Sequence, residues 1–184
     1  MPRSESRFLY ALGRTLNSLQ GWRFEGEMAN EDKVIMALAP HTTNWDFFVG
    51  VPLMLKIRAH VSILMKKEAF FWPFKGLLSK IGFVPVNRGK AGGVVPTAVS
   101  EFNRREKFWL VITPEGTRTR GKHWKDGFLR ISREANVPIQ LLGIDYPSKR
   151  IEFGPVVYAS DNFDADIEEY KKFFAGFTGR YPDS

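Results

Sequence analysis

The chain contains no cysteine. That excludes a disulfide framework, a thiolate metal cluster and a thiol nucleophile, and it fits a reducing cytosol. Histidine is scarce as well. Only His41, His60 and His123 occur, and none stands at zinc-ligand spacing from other ligand-type residues, so no metal or redox cofactor is expected. Long apolar runs are missing. The longest, Phe47 to Leu55, falls far short of the roughly 20 residues needed to cross a bilayer. The stretch from Met1 to Leu19 is interrupted by Arg3, Glu5, Arg7 and Arg14, unlike a secretory signal. There is no Gly-x-Ser-x-Gly elbow and no Gly-x4-Gly-Lys-Ser/Thr loop, which removes the serine-hydrolase and P-loop readings. Internal repeats, low-complexity tracts and long linkers are also absent.

What is present fits one domain. The 184 residues are 43% hydrophobic, enough for a sizeable core. Sixteen phenylalanines raise the aromatic share to 14%, more than such a core needs, so some of that surface is expected to face a lipid or a partner. Lys and Arg outnumber Asp and Glu 27 to 20, a net charge of +7. A basic surface attracts nucleic acid, anionic lipid or phosphorylated small molecules. No single-strand-binding or helix-turn-helix signature is present, so a nucleic-acid partner is not expected.

Periodicity alternates between helix and strand. Phe8, Leu9, Leu12, Leu16 and Leu19 recur at helical spacing, predicting an amphipathic helix within residues 1–20 that stops at Gly21. Two roles remain open for it: packing on the domain, or lying on a membrane surface. The remainder, 21–184, forms the main domain. Strands are expected at 22–27, 33–39, 61–65, 82–86, 108–112, 137–144 and 150–158. Helices are expected at 44–57, in part of 68–80, from the first turn containing Pro96 to about Arg105, at 126–135 with Asn136 as C-cap, and at 163–177. Pro52 should kink or shorten the second helix. This alternation predicts an α/β fold, a largely parallel or mixed central sheet flanked by helices in a single domain.

In such sheets sites form at the carboxyl ends of strands, and three polar clusters follow three strands. The first is Pro40-His41-Thr42-Thr43-Asn44-Trp45-Asp46. On one regular helix, residues five apart point about 140° away from each other. His41 and Asp46 can therefore meet only if His41 precedes the helix and Asp46 lies in its first turn. The carboxylate would then fix the imidazole tautomer and leave its other nitrogen as a base. The same residues also read as a helix cap, with Asp46 favouring the N-terminus. The second cluster, Asn87-Arg88-Gly89-Lys90, suits a phosphate or a solvated basic turn. The third, Thr113-Pro114-Glu115-Gly116-Thr117-Arg118, follows the most apolar strand, and Gly116 permits close backbone approach. A further stretch, Met65 to Phe74, sets four aromatics beside two lysines, as a buried helix or as a lipid-facing surface rimmed by charge.

In this order the clusters resemble the glycerolipid acyltransferase family, whose best-known members acylate lysophosphatidic acid. The family's His-x4-Asp motif is matched by His41 through Asp46, and its Arg-Gly turn by Asn87-Arg88-Gly89. Its Phe-Pro-Glu-Gly-Thr-Arg stretch corresponds to residues 113–118, with Thr113 in place of Phe. Its late Val-Pro-Ile segment corresponds to Val137-Pro138-Ile139. The resemblance covers roughly residues 33 to 145. It implies acyl transfer from acyl carrier protein or a CoA thioester to a hydroxyl of a lysophospholipid, His41 and Asp46 being catalytic. Arg88, Glu115, Gly116, Thr117, Arg118 and Lys66 would then line the substrate site. It also implies a cytoplasmic protein held peripherally on the inner membrane face. A non-catalytic lipid-binding protein of the same fold, and another acceptor such as a lyso-ornithine lipid, remain as alternatives.

Overall fold

The computed structural model describes residues 6–66, 82–86, 93–116 and 124–181. The strands are β1 (Arg23–Gly26), β2 (Lys33–Ala39), β3 (Val61–Lys66), β4 (Phe83–Val86), β5 (Phe108–Ile112), β6 (Ile139–Asp145) and β7 (Arg150–Val157). The described helices are α1 (Arg7–Gln20), α2 (Trp45–Lys56), α3 (Val94–Arg104), α4 (Gly127–Ala135) and α5 (Phe163–Phe174). The strands form one seven-stranded sheet in the order β1-β7-β6-β2-β5-β3-β4. β6, β2, β5, β3 and β4 run parallel, β7 is antiparallel to β6, and β1 is parallel to β7. The sheet is thus mixed, with a parallel block of five strands, as the alternation of elements led one to expect.

Strand β2 is the centre. Val34 and Met36 point into one core with Trp22, Leu53, Trp109, Leu142 and Ile144. Ile35, Ala37 and Ala39 point into the other with Phe102, Leu110, Phe128, Ile139 and Phe174. Successive side chains on a strand alternate between faces, and a strand covered on both sides must be apolar at every position. α2 therefore covers one face, and α3, α4 and α5 cover the other.

α2 runs through Pro52 without interruption. It spans Trp45–Lys56, one residue shorter at each end than the expected 44–57. Proline has no N–H, so the carbonyl four residues earlier, that of Phe48, loses its partner within the helix. Gln20 at the end of α1 supplies one, donating from Nε2 to the Phe48 oxygen at 3.0 Å. α1 packs along α2 at Gly13, where a Cβ would stand 2.6 Å from the Lys56 nitrogen and 2.8 Å from the Pro52 oxygen. Lys56 Nζ donates to Asn17 Oδ1 at 2.6 Å, and Asn17 Nδ2 donates to the Trp22 carbonyl at 2.8 Å.

The buried line of α1 is thus Gly13 and Asn17, not its leucine stripe. Phe8 and Leu19 remain 74% and 80% exposed. Among the described residues, no helix is long and apolar enough to cross a membrane.

Asn136 caps α4 in the left-handed conformation, as read from the sequence. α5 ends at Phe174, three residues earlier than its apolar pattern suggested. Phe177 leaves the helical line and lays its ring on the bare backbone of Gly143. The expected helical segment within 68–80 lies outside the described residues.

Candidate active site

Three adjacent parallel strands, β5, β2 and β6, release their chains at the same edge of the sheet. Ala37 pairs with Ile112 and Ala39 with Gly143. A residue one to three positions beyond each strand therefore arrives at one place, whatever its distance in sequence. The loop after β2 carries His41, the loop after β5 carries Glu115, and the turn after β6 carries Tyr146.

His41 stands before α2, and Asp46 lies in the first turn of that helix. Their side chains meet: His41 Nδ1 and Asp46 Oδ2 are 2.7 Å apart. Asp46 is buried, whereas the His41 side chain is 22% exposed. A neutral imidazole that donates from Nδ1 to the carboxylate carries its lone pair on Nε2. The second carboxylate oxygen is also occupied. Tyr146 donates its phenolic proton to Asp46 Oδ1 at 2.6 Å. Burial, then this hydrogen bond and the Asp46 charge, drive the Tyr146 pKa well above the usual phenol value. The phenol therefore remains a donor throughout the physiological range. Its ring is seated edge-on against Trp22, with centroids 5.0 Å apart.

Both Asp46 oxygens are used by His41 and Tyr146, and the carboxylate also sits in the first turn of α2, where its charge favours the helix N-terminus. Thr43 assists the turn, its Oγ1 accepting from the Trp45 N–H at 3.2 Å. The N–H groups of Asp46 and Phe47 are bonded to the carbonyls of Thr43 and Asn44. These first-turn donors are therefore engaged within the turn.

Glu115 is buried at 6% exposure. Its Oε2 accepts the backbone N–H of His41 at 2.9 Å, so the loop after β5 holds the loop after β2 at His41. Gly116 has φ of 65° and is packed against the aliphatic stem of Lys125. A side chain at Gly116 would be strained in this left-handed conformation and would meet that stem. The Lys66 backbone ends β3 opposite Val86 of β4, at the same carboxyl edge. Arg88, Thr117 and Arg118 lie outside the described residues.

Sequence reasoning paired His41 with Asp46 and singled out Glu115, but it missed Tyr146. Tyr146 follows immediately after an apolar strand, the same placement that drew attention to residues after β2 and β5. Only the order of strands, with β6 directly beside β2, brings it to Asp46.

A model of the family described as Acyltransferase matches residues 22–144, more than half of the chain. No curated protein matches the chain by sequence. Among solved structures, the chain is similar to the crystal structure of the 1-acyl-sn-glycerophosphate (LPA) acyltransferase PlsC from Thermotoga maritima. The TM-score is 0.61 at 15% identity, over 95% of this chain and 80% of that one. At that identity the likeness establishes a shared fold.

Proposed function

The chain belongs to the acyltransferase family, and from that premise we propose that it moves a fatty acyl group from the thioester of acyl carrier protein or CoA to a hydroxyl of a phosphate-bearing lysolipid. The acceptor that fits best is 1-acylglycerol 3-phosphate, the product then being phosphatidic acid. The observation that carries this reading is the His41–Asp46 contact at 2.7 Å at the carboxyl ends of the sheet's parallel strands. The solved structure named above, whose fold this chain shares, is that of a 1-acyl-sn-glycerophosphate acyltransferase.

In this mechanism Nε2 of His41 takes the proton of the acceptor hydroxyl as its oxygen attacks the thioester carbonyl. The tetrahedral intermediate collapses with loss of the thiolate, which takes the proton back from His41. The acyl group passes directly between substrates, with no ester to the protein. Asp46 holds the tautomer and balances the charge that His41 gains. Lys66 is a candidate donor to the oxyanion, and Arg88, Thr117 and Arg118 are candidates for the acceptor's polar groups. Glu115, expected in the substrate site, would also support the base through its contact with the His41 backbone.

The same reading gives the exposed apolar side chains a use. Phe8 and Leu19 on α1, and Trp45 and Phe48 at the start of α2, are all at least half exposed. They would dip into the interface of an anionic membrane on its inner face, with the dyad beside them.

The test is thiol release from acyl-CoA and from acyl carrier protein thioesters, with a panel of lysolipid acceptors. His41→Ala, with its fold retained, is expected to lose about 10²–10⁴-fold in rate. Full activity in that variant would remove the general-base role.

A further inference from the structure

Residues 175–181 follow α5 and lie beyond the stretch that the family model matches. They cross the carboxyl ends of β6 and β2, and every residue from 177 to 181 makes a specific contact there. The Phe177 ring rests on Gly143. Thr178 donates its N–H to Asp145 Oδ1 at 2.9 Å, and its carbonyl accepts the Tyr146 N–H at 2.9 Å. Gly179 presses on Thr42 so closely that a Cβ there would lie 2.7 Å from Thr42 Cγ2 and Oγ1. Tyr181 donates its N–H to the same Thr42 Oγ1 at 3.3 Å. Thr42 is the immediate neighbour of His41.

Arg180 is pinned between those last two contacts. Its guanidinium carbon lies 4.7 Å from the centroid of the Trp45 ring and 5.7 Å from that of Tyr181. Trp45 is the immediate neighbour of Asp46. Arg180 itself is exposed, and it pairs with no carboxylate among the described residues. A guanidinium held over an aromatic ring is drawn to the ring's π-face, and its N–H donors remain able to take an anion. Contact with the two rings also restricts rotamer freedom that a solvated arginine would lose on binding an anion. The charge of Arg180 reaches the Tyr146 phenol, opposing the burial and the Asp46 charge that raise its pKa.

We propose that Arg180, presented on Trp45 by this carboxyl-terminal strap, is an anion-binding residue of the acyl-transfer site and takes a phosphate group of a substrate. The inference rests on the acyltransferase reading for the identity of that substrate. The phosphate belongs either to the acceptor lipid or to the donor, whose CoA or carrier-protein arm bears phosphates. The shared chemistry is a phosphate oxygen pair facing a planar fork of donors.

Calorimetric titration of the full chain with CoA, and separately with a short-chain lysophosphatidic acid, tests this. Arg180→Ala is expected to weaken one of the two by roughly tenfold or more. Loss with CoA assigns the phosphate to the donor; loss with the lysolipid assigns it to the acceptor. Arg180→Gln keeps a planar group on Trp45 without the charge, and it is expected to behave like Arg180→Ala while melting at the wild-type temperature. Unchanged affinity for both probes in both variants overturns the proposal, as does a wild type that binds neither. Thioester turnover measured in parallel separates the two readings. An inert wild type with Arg180-dependent binding rejects the acyltransferase mechanism and keeps the anion site. An active enzyme whose Arg180→Ala form keeps wild-type affinities and KM values rejects the anion site alone.

Discussion

Tyr146 and Asp46, a hundred residues apart in sequence, share a hydrogen bond of 2.6 Å on the carboxylate oxygen that His41 leaves free. The carboxylate is therefore gripped from both sides and cannot rotate away from the imidazole. Both donors reach it in a buried setting, where such bonds are strong and their loss is costly.

Tyr146→Phe isolates that grip. The ring and its packing on Trp22 remain, and only the hydroxyl goes. Asp46 Oδ1 is then buried without its donor, a loss of roughly 1.5–3 kcal/mol for a hydrogen bond to a charged group. On the proposed mechanism, kcat falls about tenfold or more, while KM for both substrates stays near the wild-type value. Steady-state kinetics with each substrate varied in turn gives the split. An unchanged kcat would show that His41 and Asp46 hold their geometry without the phenol.

Glu115→Ala separates two roles for the third cluster. If Glu115 chiefly contacts substrate, the variant raises KM and leaves stability alone. The contact with the His41 N–H predicts the reverse emphasis. A part-buried donor loses its acceptor, which costs about 1–3 kcal/mol, and the loop that carries the base loosens. The expected result is a lower urea midpoint together with a fall in kcat that exceeds any change in KM. A pure KM effect at wild-type stability would return Glu115 to the substrate site.

The sheet was readable from sequence because its central strands announce themselves. Val34 to Ala39 and Phe108 to Ile112 are continuously apolar, as strands covered on both faces must be. The His41–Asp46 geometry was readable too, since helical angles allow only one way for residues five apart to meet. Two things were not readable. The role of α1 was hidden because its packing face consists of a glycine and an asparagine, which carry no hydrophobic signal, while the visible leucine stripe points elsewhere. The partners Tyr146 and Arg180 were hidden because they reach the site through strand order and through the path of the chain after α5. Neither leaves a local pattern.

The packing of α1 on α2 makes a prediction that the leucine stripe would not. Gly13→Leu places a side chain where even a Cβ would lie 2.6 Å from the Lys56 nitrogen. Overpacking of this kind typically costs about 1–3 kcal/mol. Leu19→Ser, at a site 80% exposed, should leave the melting temperature within about a degree or two of wild type and weaken binding to anionic vesicles. Thermal melts and vesicle sedimentation on the two variants check both. A destabilised Leu19→Ser would mean that the stripe, not the glycine, holds the helix in place.

Asp145 gives the acid limit of the strap. Burial pushes its pKa up. The Ser148 hydroxyl, the backbone N–H groups of Thr178 and Ser148 and the charge of Arg150 outweigh that and hold it below the ordinary carboxylate value. A folded-state pKa below the unfolded one contributes stability that is fully present above the unfolded value, roughly 3.9 for aspartate. That contribution is lost as pH falls through the lower, folded value. The wild type should therefore lose this contribution below about pH 4. Asp145→Asn should begin less stable at neutral pH and lose less over the same interval. Because Thr178 N–H is one of the groups that hold Asp145, hydrogen exchange at Thr178 should quicken in the variant at neutral pH, and in the wild type only under acid. Equal acid slopes for the two proteins in urea titrations at pH 7 and pH 3 would show that Asp145 does not set the acid limit. Unchanged exchange at Thr178 would mean that Phe177, Gly179 and Tyr181 hold the strap on their own.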